Sequence, residues 1–273
     1  MIRKLYPNGK RKAFNITYDD GVLQDIRFVE LMNKYGLKGT FNLNFGLMEQ
    51  EFEWTHKSGL VVKRLTPERA LELYGDHEIA SHSYTHPFMD EMSKGEILDE
   101  MMKDKTKLEE LFGKEVVGFA VPFDYYSDLI ADCAKECGFE YSRDGSETYD
   151  YKPGNKYYYW SASTYHVKPE FKGFVEGFFE ADEELALCQI VGHTYDLDVM
   201  DMWDYIESVI KRVAEADDIT NMTNMELVRY LKAMDMVVID GDRLIENRSD
   251  MPLWFECDGE IVCVDSRSIW KKN

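Results

Sequence analysis

Seven short apolar runs, most of them followed by a stretch of helical period, limit what this chain can fold into more than any other feature. They cover residues 13–18, 39–44, 77–81, 116–121, 139–142, 161–167 and 186–192. Helices fall between them. Val22 to Tyr35 closes on Gly36, Pro67 to Tyr74 has proline in its first turn, and Ser127 to Cys137 stops at Gly138. Ser93-Lys94-Gly95-Glu96 has capping-box spacing and opens a long amphipathic helix through Phe112. Glycine suits the left-handed position that ends a helix, and proline at the start removes no hydrogen bond. Strands alternating with helices of about ten to twenty residues imply parallel βαβ units and hence an α/β fold.

The ends of these runs carry the chemistry. Ser81-His82-Ser83-Tyr84-Thr85-His86 sets two imidazoles in one short turn, where both can grip a single ion. Catalytic zinc takes three protein ligands and keeps a position for water, so a third ligand is wanted. Thr17-Tyr18-Asp19-Asp20-Gly21 offers adjacent carboxylates at another strand end, one for the ion and one for protons. Taken alone, each motif has a plainer reading: a chance pair of surface histidines, and an Asp-Gly turn. In a barrel of parallel strands, however, residues just after the strands converge on one face. Asp19, Asp20, His82, His86, Pro122, Phe123, Arg143 and His193 all sit at such ends.

The combination of a strand into Thr17-Tyr18-Asp19-Asp20-Gly21 and a later strand into His82-Ser83-Tyr84-Thr85-His86 resembles the polysaccharide deacetylase family. This is the NodB homology domain, or carbohydrate esterase family four. The resemblance implies a single-domain distorted (β/α) barrel of about seven parallel strands over residues 1–273. Its core motifs span about 13–200; a C-terminal portion, about 201–273, adds helices at Met202 to Glu215 and Asn224 to Met234 and a hairpin about Asp258-Gly259. It further implies a divalent metal held by Asp20, His82 and His86, most simply zinc, with cobalt, nickel or iron open. Asp19 would be the general base and His193, in Val191-Gly192-His193-Thr194, the general acid, oriented by Asp196 or Asp198. Pro122 and Phe123 would border the oxyanion, with the Phe123 N–H as donor. The implied reaction is hydrolysis of acetyl groups from an N-acetylated sugar or oligosaccharide.

Two departures from the family pattern stand out. The third motif, usually R-x-P-[YF]-G, reads Ala120-Val121-Pro122-Phe123-Asp124, without the arginine that pairs with the base and without the glycine. Arg143, at the end of the next strand, is expected to supply that cation through a salt bridge to Asp19. The fourth motif is replaced by Tyr157-Tyr158-Tyr159-Trp160, with His166 following. Trp160 is a candidate for stacking on a sugar ring or for the core, and His166 for substrate contact or a buried hydrogen bond. Residues 143–160 read as a long loop and 45–65 as an inserted arm with a hairpin about Lys57-Ser58-Gly59. Alternative functions are cleavage of another C–N bond, such as a cyclic amide, or of an O-acetyl ester, and catalytically inactive carbohydrate binding.

Composition narrows the partners. A net charge of −20 opposes nucleic acid and anionic membranes at long range. Met1-Ile2-Arg3-Lys4-Leu5-Tyr6-Pro7 lacks a following apolar segment, and no run is long enough to span a bilayer, so a cytoplasmic address is expected. Cys133, Cys137, Cys188, Cys257 and Cys263 fit reduced structural thiols better than a disulfide framework, with Cys257 and Cys263 facing each other across the terminal hairpin. The oligomeric state is left open.

Overall fold

The computed structural model describes residues 2–272. The strands at Ala186–Gly192, Lys12–Asp19, Thr40–Leu43, Glu78–Ser81, Gly118–Ala120, Tyr141–Glu147 and Trp160–Ala162 lie side by side in that order, all parallel. Thr164–Tyr165 then pairs with Ala186–Gly192, where the order began. Trp160–Ala162 and Thr164–Tyr165 are one line of chain broken only at Ser163. Its N–H donates to the Gln189 carbonyl at 3.1 Å and its Oγ accepts from the Gln189 N–H at 3.0 Å. The sheet is therefore a nearly closed barrel of eight strands in seven staves, which leaves almost no open edge. Strands covered on both faces need no alternation of polar and apolar residues, which is why Lys12–Asp19 is buried along its whole length.

Three expectations about the elements are corrected, the end of one strand, the extent of one loop and the facing of two cysteines, while both expected hairpins are present. The strand expected to end at Ser142 runs to Glu147, because its parallel partner Trp160–Ala162 keeps pairing with it past an irregularity between Arg143 and Glu147. Residues 148–159 of the expected loop form no strand but stay tied to the barrel: the Tyr149 N–H donates to the Ser163 carbonyl at 3.0 Å and the Leu187 N–H to the Tyr151 carbonyl at 2.7 Å. The terminal hairpin, Leu253–Cys257 with Glu260–Val264, belongs to a three-stranded sheet completed by Ile2–Leu5 from the other end of the chain. A second small sheet joins Val237–Asp240, Leu244–Asn247 and Ser268–Lys271. Across the hairpin Cys257 pairs with Glu260 and Cys263 with Trp254, so the two thiols do not face each other. All five cysteines are free. The inserted arm holds its hairpin, Glu53–Thr55 against Val61–Lys63, preceded by a short helix, Phe45–Glu49. Among the described residues no helix is long and apolar enough to cross a membrane.

The helix Asp25–Lys34 covers the first strand and begins on a buried carboxyl. Asp25 accepts hydrogen bonds from the Val22 N–H at 3.3 Å and from the Tyr74 and Thr194 hydroxyls, tying the turn after the first strand to the segment after the last. Burial pushes this carboxyl up to about 7, against those three bonds. The folded protein thus keeps its proton where the unfolded chain releases it near pH 4, so its contribution to stability is full in acid and is lost as pH rises toward 7. Asp25→Asn is expected to remove that slope. Its destabilisation relative to wild type should shrink by on the order of 2 kcal/mol between pH 5 and pH 8 in denaturant titrations. An unchanged difference would show that Asp25 is ionised throughout.

Candidate active site

The carboxyl ends of the strands surround a cavity of about 550 Å³. Of the residues singled out in the sequence, Asp19, Asp20, His82, His86, Phe123, Arg143 and His193 line it, although they come from five different stretches of chain. Parallel strands of one barrel deliver their last residues to the same face, and that alone brings them together.

Asp20, His82 and His86 meet in the floor. One ligand atom of each lies within 4.8 Å of the others, with His86 Nε2 3.6 Å and His82 Nε2 3.9 Å from Asp20 Oδ1. His82 Nδ1 is 2.8 Å from the Ala120 carbonyl, which can only accept, so Nδ1 carries the hydrogen and Nε2 presents its lone pair. Burial lowers the pKa of His82 and pushes that of His86 down to about 3, keeping both rings neutral at pH 7. Asp20 is held below the usual carboxylate range: burial opposes this, but Arg64 and the three histidines prevail. Its Oδ1 is buried and accepts no hydrogen bond. Two lone pairs and a carboxylate oxygen thus converge with no proton among them, an arrangement that fits a cation.

Beside it, Arg143 Nη2 reaches both oxygens of Asp19, at 2.6 and 2.5 Å, and Asn42 Nδ2 donates to Oδ1 at 2.6 Å. The ion pair expected from the sequence is present, with the cation supplied by a neighbouring strand. Burial would raise the Asp19 pKa; Arg143, His82 and His193 outweigh it and keep the carboxylate ionised. On the other flank His193 Nε2 lies 3.9 Å from Asp20 Oδ2, and Nδ1 lies 3.1 Å from Asp196 Oδ2 and 2.9 Å from the Tyr165 hydroxyl. Burial opposes the charge on His193, but the Asp196 bond and the charges of Asp20 and Asp19 push its pKa up to about 9. Asp198 is engaged elsewhere, accepting from Trp203 Nε1 at 2.8 Å.

Three candidates lie off the cavity wall. Trp160 is buried and donates from Nε1 to Gln189 Oε1 at 2.5 Å inside the barrel, so it packs in the core and cannot meet a sugar. His166 is also buried; its Nδ1 is 2.9 Å from the Tyr18 hydroxyl and its Nε2 is 3.6 Å from Asp196. It sits behind His193 and away from any substrate. Its ring lies so close to Gly192 that a Cβ there would fall 2.4 Å from it, which explains the glycine before His193. Pro122 is buried beneath the turn that places Phe123 and Asp124 in the wall. Both of those residues are left-handed, at φ 57° and 59°. Asp tolerates that conformation better than most side chains, so the absent motif glycine does not unmake the turn.

Several residues of the site had no readable signal. Asn44 holds the His82 and Ser83 carbonyls, and Asp104 accepts from the Ser81 hydroxyl at 2.6 Å and the Phe45 N–H at 2.7 Å, fixing the histidine turn from outside. Arg64 and Trp54 enter from the inserted arm, and Tyr195 stacks on His193 with ring centroids 4.8 Å apart. Only Asn44, in the apolar strand-end pattern Phe41-Asn42-Leu43-Asn44, had a position that could have marked it.

The family model for polysaccharide deacetylase matches residues 7–142, about half of the chain, including Asp19, Asp20, His82, His86 and the Pro122-Phe123 turn. This chain belongs to the polysaccharide deacetylase family. Arg143 and His193 lie beyond the matched segment. Among curated relatives of this deacetylase-family chain, the uncharacterised protein YlxY of Bacillus subtilis (strain 168) is 26% identical over 137 residues, covering 50% of this chain and 38% of that protein. The match therefore spans well under two thirds of that relative. A solved candidate polysaccharide deacetylase from Mycobacterium smegmatis superposes with a TM-score of 0.64 at 15% identity, over 85% of this chain and 94% of that one. A CE4 family pseudoenzyme from Bacillus anthracis gives 0.55 at 16%, over 83% and 68%. A family 4 carbohydrate esterase from Streptomyces lividans, in complex with acetate, gives 0.51 at 14%, over 78% and 92%. At these identities the likeness is one of fold.

Proposed function

We propose that this chain is a metal-dependent hydrolase that removes acetyl groups from an N-acetylated sugar or oligosaccharide. One observation carries the reading: the unprotonated acceptors of Asp20, His82 and His86 converge on one point, with the Asp19–Arg143 and His193–Asp196 pairs on either side. A divalent cation, most simply zinc, supplies Lewis acidity toward an acetyl carbonyl and toward water when it is bound there. Asp19, ionised and fixed by Arg143 and Asn42, takes a proton from the attacking water. The Phe123 N–H is the donor assigned to the developing oxyanion, a role whose loss typically costs about 3 kcal/mol. His193, charged at neutral pH, gives its proton to the departing nitrogen, which cannot leave as an anion.

The mouth of the cavity suits the apolar face of a pyranose. Of the chain's 15 phenylalanines, Phe52, Phe88 and Phe123 are the exposed ones among the described residues, and all three are found here. Phe52 stacks on Trp54, while Phe88 stacks on Phe123 with centroids 3.8 Å apart. The stacking role given to Trp160 passes to these rings.

The deciding experiment measures metal content and acetate release on a panel of acetylated amino sugars, before and after chelation. Acetate release is expected, falling about 100-fold with chelator and returning with added zinc or cobalt. Bound metal without turnover on any acetylated substrate would leave a binding protein. Turnover indifferent to chelator would remove the metal from the reaction.

A further inference from the structure

Arg64 is a cation in the floor of the site that the proposed reaction does not use. Only 3% exposed, it comes from the inserted arm, whose base is stitched to the metal-site turn. The Leu65 N–H donates to the Gly21 carbonyl at 2.8 Å, the Leu23 N–H to the Lys63 carbonyl at 2.9 Å, and Val22 forms an isolated bridge with Arg64 itself. The guanidinium lies 5.1 Å over the Trp54 ring. Its Nη1 hydrogen-bonds the Asp20 carbonyl and lies 2.9 Å from Asp20 Oδ1, the same oxygen that faces His82 and His86.

That distance has a consequence for any ion at the site. A metal–carboxylate bond is about 2.1 Å, so an ion on Oδ1 can lie no farther than about 5 Å from Arg64 Nη1. Two positive charges at that spacing, out of water, repel strongly. The balance of charge points the same way. Asp19 and Asp20 already face Arg143 and Arg64, so a divalent cation enters a cluster whose two negative charges are matched before it arrives. The opposing effect is orientation, since Arg64 also steadies Asp20. That gain is small, because the Asp20 N–H is independently anchored to the Asn42 carbonyl at 3.0 Å.

We infer that Arg64 is a positioning residue that holds down the metal affinity of the Asp20–His82–His86 site and keeps its ion exchangeable. The inference rests on those three residues holding a divalent cation. Its test is the dissociation constant of zinc and of cobalt, measured on chelator-stripped protein by competition with a chromophoric chelator. Arg64→Gln, which is neutral and can still donate to the Asp20 carbonyl, is expected to bind zinc about tenfold more tightly or better. Arg64→Met, neutral and able to pack its stem on Trp54, should tighten binding in the same direction, and Arg64→Lys should stay within about threefold of wild type. A residue with a merely structural role would leave affinity unchanged or weaken it on removal. Equal or weaker binding by whichever neutral variant folds therefore overturns the inference. Tight binding by the wild type that neither neutral variant improves overturns it while leaving the metal site standing. No binding by wild type or any variant removes the metal site as well.

Discussion

Asp19→Asn is expected to lower kcat for acetate release by about 10³-fold while leaving zinc affinity within a few-fold of wild type. The asparagine fills the same space, but it cannot take a proton from water. It also confronts Arg143 and Asn42, both donors to Asp19, with an amide group of which one end is itself a donor. Asp19 is not among the converging acceptors, so the ion should stay while the chemistry stops. Arg143→Met separates the base from its support. Arg143 helps hold the Asp19 pKa below the usual range, so its removal raises that pKa and moves the acid limb of the rate profile to higher pH. The expected loss of turnover is about 10²-fold at pH 7 and smaller at pH 9, with Asp19 ionised again. Turnover of Arg143→Met within a few-fold of wild type at pH 7 would remove it from the base's support. Asp19→Asn with full activity would remove Asp19 from catalysis.

The parts of the site legible in the sequence are those that a parallel barrel makes unavoidable. Once residues 13–18 and 77–81 are strands, Asp19, Asp20 and His82 must emerge on one face, and side chains of chemical type suffice to give them roles. Arg143 was legible for the same reason: a neighbouring strand end can replace a motif position, and Asp19 needed a cation. The rest depended on contacts without a local signature. Nothing about Arg64 in Val62-Lys63-Arg64-Leu65 distinguishes it from a surface residue until backbone hydrogen bonds seat the arm against Gly21 and Leu23. Trp160 could be a platform or a core residue by composition alone, and only the position of Gln189 inside the barrel decides it. The strand at Ile2–Leu5 pairs with residues near the other end of the chain, a contact that no short window of sequence records.

The likeness to a Bacillus anthracis pseudoenzyme shows why roles must be argued from side chains: the same barrel serves with and without activity. The two residues proposed to carry protons here, Asp19 and His193, both stand with their supports. In the proposed reaction Asp19 takes its proton from the attacking water, whatever the leaving group is. As the proposed acid, His193 would matter in proportion to how badly the leaving group needs a proton.

His193→Gln should therefore separate substrates by their leaving group. An amine must be protonated to depart, whereas an activated ester releases a phenolate or alkoxide that needs little help. The variant is expected to lose about 10³-fold on an N-acetylated sugar and about tenfold or less on an activated acetyl ester. The pH profile gives a second readout. The acid must hold its proton, so activity falls as pH rises through the His193 pKa, which Asp196, Asp20 and Asp19 raise to about 9 against the effect of burial. Asp196→Asn removes the largest of the raising influences and leaves burial in place, so the alkaline limb should move down by about one pH unit or more. An ion bound to Asp20 would partly cancel the second influence, which places the limb of the loaded enzyme below 9 but leaves the direction of the Asp196→Asn shift unchanged. Equal losses on amide and ester, with an alkaline limb indifferent to Asp196, would assign the proton to another donor. Tyr165, whose hydroxyl lies 2.9 Å from His193 Nδ1, would then be the residue to replace.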